Sequence, residues 1–277
     1  MPAAQYKPLQ RGYLSWVTAR LKAGASVDAM NSELKAANLL LSPSEPDDVD
    51  AIFDSHAGYL TEIEIRPTGA SRDVIAIRFG TYTGSACNED DTVALYHREP
   101  FQLLTIINAE SSYAHGYILR EVSVGNEDAK GRLIASAWVA SNCTSNWNGN
   151  IFRIDVARAG VLKTVLEKGV GAFFDDELRI GIEAEGVTFR YSSGIADTDV
   201  IVRKAIARYE VHGGHATRVA PIAPSYGGFI DEWLKLEDAE VAQWSSPAAS
   251  AAASRAVSSV NPGTFHPSRR LELSRRA

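Results

Sequence analysis

The stretch FRIDVA, residues 152–157, decides the fold class, because Phe152, Ile154 and Val156 alternate with Arg153, Asp155 and Ala157. A period of two belongs to a strand, whose successive side chains point to opposite faces. The spacing predicts one apolar face and one wet face carrying Arg153 and Asp155. The same period extends outward in both directions. Upstream, Ile63 and Ile65 alternate with Glu62, Glu64 and Arg66, while Ile75, Ile77 and Phe79 face away from Arg78. Downstream it returns at residues 178–182, 187–191, 200–209 and 217–222, between clusters of Gly, Asp, Asn and Ser. Residues 103–107 and 133–139 are more uniformly apolar and predict central strands covered on both faces. Parallel neighbours need crossover connections, usually helices, and none intervenes here. The pattern therefore predicts antiparallel meanders.

Helical spacing is confined to the two ends. Tyr13, Leu14, Val17 and Leu21 mark one helix; Gly24 and Ala25 break it, and Ser26 is placed to cap a second helix with the stripe Val27, Met30, Leu34 and Ala37. After Pro224, the residues Phe229, Ile230, Trp233, Leu236, Val241 and Trp244 predict a closing helix or two short ones. The expected class is α+β: a predominantly antiparallel meander, sandwich or barrel-like sheet, with an N-terminal helical hairpin and a C-terminal closing helix. The expected domains are the hairpin over residues 1–45, the β-rich part over 58–245 with its closing helix at 226–245, and a disordered tail over 246–277.

A chain of 277 residues fits one large or two modest domains. With 45% apolar and 22% charged residues, it is expected to fold without spanning a membrane. The net charge of −6 argues against a nucleic-acid partner, since phosphate binding draws on Lys and Arg. The basic cluster Arg269, Arg270, Arg275 and Arg276 lies in the tail and reads as solvated. The longest largely apolar stretch near the N-terminus, residues 37–41 with Asn38 inside it, is too short to cross a bilayer, and residues 1–11 show no signal-peptide core. The expected location is periplasmic or secreted if an export signal has been removed, and otherwise cytoplasmic. Cys87 and Cys143 form one disulfide if the chain is exported, or act as small buried apolar residues; their spacing fits no metal motif.

Three runs, INAESSYAHGY at 107–117, LIASAWVASNCTSNWNGNIFRID at 133–155 and YGGFIDEWL at 226–234, carry a resemblance. The chain resembles, over about residues 12–246, a family of bacterial proteins known mostly as hypothetical open reading frames of soil bacteria. That family has no established activity, so no catalytic residue carries over. Its members often look exported, which implies an oxidising compartment for Cys87 and Cys143.

Candidate sites follow from local chemistry. In SNCTSNWNGN, residues 141–150, Asn148 and Gly149 match the type I′ hairpin signal, so the segment is first of all a turn. Trp147 would stack on a sugar ring while Asn142, Asn146 and Asn148 bond its hydroxyls; the competing reading has Trp147 capping the core beside Cys143. The acidic strand ends carry Asp90 and Asp91 in one run and Asp197 and Asp199 in another, and convergent carboxylates suit Ca²⁺; solvated turn residues are the plainer reading. Residues 173–177, FFDDE, are a third acidic turn. His115 would act as a base oriented by Glu110, against the alternative of a core histidine satisfied by its neighbours. Gly213 and Gly214 predict a two-residue turn that sets His212 opposite His215, a pair able to hold a transition metal if a third ligand approached.

The sequence contains no GxSxG elbow, no GxGxxG after a strand, no phosphate-binding loop and no CxxC. Two readings stand. One is a β-rich module that is structural or binds a carbohydrate or another small ligand. The other is a hydrolase in which a divalent cation, Ca²⁺ first, polarises an ester, lactone or glycosidic bond.

Overall fold

The computed structural model describes residues 3–41, 60–82, 89–108, 117–140, 147–173, 178–184, 186–194, 202–236 and 238–248. Its strands are β1 (Glu64–Arg66), β2 (Val74–Tyr82), β3 (Glu89–His97), β4 (Gln102–Ile107), β5 (Tyr117–Asp128), β6 (Gly131–Ala140), β7 (Trp147–Arg158), β8 (Val161–Phe173), β9 (Arg179–Glu183), β10 (Gly186–Gly194), β11 (Val202–His212) and β12 (His215–Val219). They form three four-stranded antiparallel sheets in the orders β1-β2-β3-β4, β5-β6-β7-β8 and β12-β11-β10-β9. Every neighbour in a sheet is the next strand along the chain, so each sheet is an open meander, as the period-two pattern predicts. None closes into a barrel. No helix among the described residues is long and apolar enough to cross a membrane.

Internal contacts divide the chain into two units: Met1–Ser145 with Asp155–Lys163, and Asn146–Ile154 with Thr164–Ala277. In the first unit, α1 (Ala3–Lys22) ends at Gly24, whose φ of +79° suits glycine, and the Ser26 hydroxyl accepts from the Ala29 N–H to cap α2 (Val27–Leu41). Tyr13 and Val17 of α1 and Met30 and Leu34 of α2 are buried with Ile63, Ile77, Phe79, Ala94 and Tyr96. Each such large side chain contributes about 1.5–3 kcal/mol by leaving water. The Tyr13 hydroxyl also donates to the Thr61 carbonyl at 2.6 Å, fixing α1 to the residues ahead of β1.

In the second unit, aromatic rings of β7 and β10 pack against one another. Phe152 stacks on Phe189 at 4.5 Å between centroids, and Tyr191 meets Phe152 edge-on at 4.9 Å. The helical pattern after Pro224 resolves into two short helices, α3 (Tyr226–Lys235) and α4 (Asp238–Trp244). Ser225 caps α3, its hydroxyl accepting from the Gly228 N–H at 3.1 Å. Ile222, Leu236 and Val241 form a buried cluster, with Phe229, Trp233 and Trp244 packed against it.

Three expectations about exposure need correction. Asp155 is fully buried and Ala157 nearly so, so the second face of FRIDVA is not wet. β7 is an inner strand of its sheet, but a sheet face is buried only where something packs on it, and here Asp155 and Ala157 are covered. Ile65 is 60% exposed although Ile63 is buried. The strand begins only at Glu64, because the Asn31 side-chain amide pairs with the N–H and C=O of Ile63 at 2.8 and 3.0 Å and holds that residue apart from the ladder. β4, expected to be central, lies at the edge of its sheet and is mostly half-exposed, whereas β6 is an inner strand buried on both faces, as expected.

Candidate functional site

One end of the first unit gathers several chain connections. Tyr82 and Glu89 are the last pair of β2 and β3, and residues 83–88 join them. Ile107 of β4 pairs with Val93, which brings the chain back toward the same end before residues 109–116. β5 then starts there, since the Tyr117 N–H donates to Asp90 Oδ1 at 3.2 Å, and Tyr117 pairs with Ala140, the last residue of β6, before residues 141–146. The connections 83–88, 109–116 and 141–146 therefore all leave from one end.

The base of this end is built on Asp91, which is completely buried. Its Oδ2 accepts from Arg78 Nε at 2.7 Å and from the Leu119 N–H at 2.6 Å, tying β3 to β2 and β5. A charged acceptor with two short donors is about twice as strong as a neutral bond. Gly80 is required beside it, since a Cβ there would stand 2.6 Å from Asp91 Oδ1 and 3.1 Å from the Asp90 carbonyl. Asp90 is half-buried and accepts from Gln10 Nε2 at 3.1 Å through its second oxygen. Both carboxylates serve donors of the protein itself. Ca²⁺ takes six to eight oxygens, and among the described residues no three His, Cys, Asp or Glu side chains gather around a common point.

The other proposed residues fall as follows. Glu110, His115, Asn142, Asn146, Asp197, Asp199, Cys87 and Cys143 lie outside the described residues, as does most of the acidic turn at 173–177. Trp147 and Asn148 open β7. The hairpin turn expected at Asn148 and Gly149 is therefore corrected: both residues are extended, and the reversal falls between Ala140 and Trp147. An Asn-Gly pair marks a turn only where both flanking segments pair directly across it, and here β6 has already ended six residues earlier. His212 and His215 are paired as expected, across Gly213 and Gly214 with φ of +59° and +79°.

Two buried charge clusters were not legible in the sequence. In the first unit the Arg132 guanidinium, 2% exposed, binds Asp73 through two parallel bonds at 3.1 and 2.6 Å, Ser71 Oγ at 2.9 Å, the Gly125 carbonyl at 3.0 Å and Glu127 at 3.2 Å. The Arg132 bonds hold the Asp73 carboxyl far below the ordinary carboxylate range, against a smaller opposing effect of burial. His97 Nδ1 lies 3.7 Å from Asp73 Oδ2, so Ser, His and Asp are all present. They do not form a nucleophilic triad, because the Ser71 hydroxyl donates to Asp73 and accepts from Arg132 instead of meeting the imidazole. In the second unit, Arg218 and Glu232, each 5% exposed, meet at 3.5 Å, and the Tyr191 hydroxyl donates to Glu232 at 3.3 Å. Burial, reinforced by the Glu232 charge, pushes the Tyr191 phenol well above its ordinary value, so it stays a donor. The helical phase of α3 was the one available signal: Glu232 follows Phe229 by three and precedes Leu236 by four, on the apolar stripe.

No protein-family model, curated protein or solved structure matches the chain.

Proposed function

We propose that the protein is a β-rich module that is structural or binds a carbohydrate or another small ligand, with Asn142, Asn146, Trp147 and Asn148 as its contact residues. The observation that supports this is the convergence of three connections at one end of the first unit, over a base locked by Asp91, Arg78 and the Leu119 N–H. Binding residues are drawn disproportionately from loops held by a rigid scaffold, because such loops are solvent-facing while their ends are fixed. The described interior charges act on the same side, being spent on holding strands together.

Screening the protein on a glycan array and by affinity gel tests the proposal, with Trp147→Ala as the comparison. Loss of the captured ligand in Trp147→Ala supports it. Unchanged capture of every ligand found would remove Trp147 from the site, and no capture at all leaves only the structural role.

The second reading, a Ca²⁺-assisted hydrolase with His115 as base and Glu110 as its orienting acid, draws on the same convergence, since residues 109–116 leave from that end. Turnover of ester, lactone and glycoside substrates with and without EDTA separates it from the first. A melting temperature and a turnover both indifferent to EDTA would end the metal-assisted version.

A further inference from the structure

The two helices that follow Pro224 are weakly built. α3 has ten residues and α4 seven, and isolated helices shorter than about 12–15 residues are marginal in water. Gly227 and Gly228 stand in the first turn of α3, where the backbone freedom of glycine disfavours the helix. The apolar cluster that holds the helices, Ile222, Leu236 and Val241 with Phe229, Trp233 and Trp244, draws all its described members from residues 222–244. The segment therefore carries its own small core, and it can leave the strands as a unit without dismantling the stack of Phe152 on Phe189.

Arg218, at the contact with α3, is incompletely used. Arg218 and Glu232 are each 5% exposed. Arg218 Nη2 reaches the Ile206 and Ile222 carbonyls at 3.1 and 3.3 Å but stands 3.5 Å from Glu232 Oε2. The Tyr191 hydroxyl donates to the same oxygen at 3.3 Å. Charge-assisted bonds of these two kinds ordinarily measure about 2.7–2.9 Å and about 2.5–2.7 Å, so neither donor holds the carboxylate closely. Arg218 Nε is buried with no hydrogen-bond partner among the described residues. Nε and Nη2 share one edge of the guanidinium plane, and such an edge grips a carboxylate through two parallel bonds. Glu232, tethered to α3, engages that edge through Nη2 alone.

We propose that the Nε–Nη2 edge of Arg218, with the Tyr191 hydroxyl beside it, binds the carboxylate of a small organic acid, and that Glu232 of α3 stands in that site as an internal competitor. An incoming carboxylate takes both N–H groups of the edge, and Glu232 returns to water as α3 moves off. One buried carboxylate thus replaces another, and Arg218 keeps a counter-ion throughout. α3 and α4 act as a lid, and the apparent affinity is the intrinsic affinity reduced by the fraction of molecules in which Glu232 has left. The site uses none of the residues of the ligand-binding reading above.

Glutarate, whose end reproduces the glutamate side chain, is the probe, with neutral glutaramide as its control. By calorimetry on the full chain, Glu232→Gln is expected to bind glutarate at least about tenfold tighter than the parent, because the competing charge is gone. The variant with Arg218 and Glu232 both replaced by Met is expected to bind none, and glutaramide to bind to no form. An ion pair of purely structural role would lose stability in Glu232→Gln without any gain in affinity. Hydrogen exchange of the parent reads the lid with no variant at all: glutarate should speed exchange of the amides of residues 226–244 and leave those of β10 and β11 unchanged, since it binds the form in which the segment is displaced. Equal affinity in the parent and Glu232→Gln, binding by the double Met variant as tight as by the parent, or exchange of 226–244 that glutarate slows or leaves unchanged would each overturn the proposal, and the last stands even if a variant fails to fold.

Discussion

Asp91 in the first unit and Glu232 in the second are both carboxylates in the interior, with exposures of 0% and 5%, yet they are held in different ways. Asp91 receives two short bonds, at 2.6 and 2.7 Å, from a guanidinium and a backbone N–H on different strands. Glu232 meets its guanidinium at 3.5 Å and a phenol at 3.3 Å, while Arg218 gives its shorter bond, at 3.1 Å, to the Ile206 carbonyl. Burial strips water from each charge at a cost of several kcal/mol, and only good geometry offsets it. The first cluster therefore works as a lock between strands. In the second, the guanidinium mainly satisfies the carbonyls of Ile206 and Ile222, with Glu232 as a loose counter-ion.

Breaking the lock should have the largest effect. Asp91→Ala leaves the Leu119 N–H and Arg78 without their buried acceptor, and we expect unfolding free energy to fall by about 3–5 kcal/mol. Urea denaturation measures this; a loss below about 1 kcal/mol would show that Arg78 re-pairs with Glu64, already 3.1 Å away.

A smaller effect is expected where the pair is loose. Replacing Arg218 and Glu232 together by Met removes both charges while keeping apolar volume. It should cost about 1–3 kcal/mol, less than Asp91→Ala: exchanging a buried pair for apolar side chains is often neutral, but here it also leaves the Ile206 and Ile222 carbonyls without their guanidinium donor. If the double change costs as much as Asp91→Ala, the contrast between the two clusters is lost.

The smallest effect should be confined to acid. Arg132 lowers the Asp73 carboxyl below its ordinary value of 3.8, so folding favours the charged form. The stability this supplies is fully present above about pH 4 and is lost as the pH falls from there through the lowered native value. Asp73 is 53% exposed, so screening keeps the contribution modest. Melting temperature measured from pH 7 to pH 2 should fall less steeply at the acid end in Asp73→Asn than in the parent. Parallel curves would show that Glu127 alone sustains Arg132.

How far the fold was legible depends on which physical signal each element carries. The period of two was readable across β2, β7, β10 and β11, and Ser26 and Gly24 announced the helix break through capping and φ. Edge and centre were not readable: residues 103–107 and 133–139 are both apolar, yet β4 is an edge strand and β6 an inner one. Hydrophobicity reports the wish to leave water, and the number of neighbours that grant it is a property of the assembled sheet. Arg132 gave no local sign of burial, because its carboxylate partners sit 59 and 5 residues away along the chain. Of the candidate site, the segments with unusual chemistry were visible as composition, but their departure from one end emerged only from strand register.

By itself, then, the order of residues determined the local periods, the turns at Gly213–Gly214 and Gly24, the cap at Ser26, and the antiparallel meanders, since all of these depend on contacts between near neighbours in the chain. The tertiary structure alone decided which strands are interior, which carboxylates are locked and which connections share an end. Those outcomes depend on pairings between residues far apart in sequence, and no local pattern encodes where a distant partner will stand.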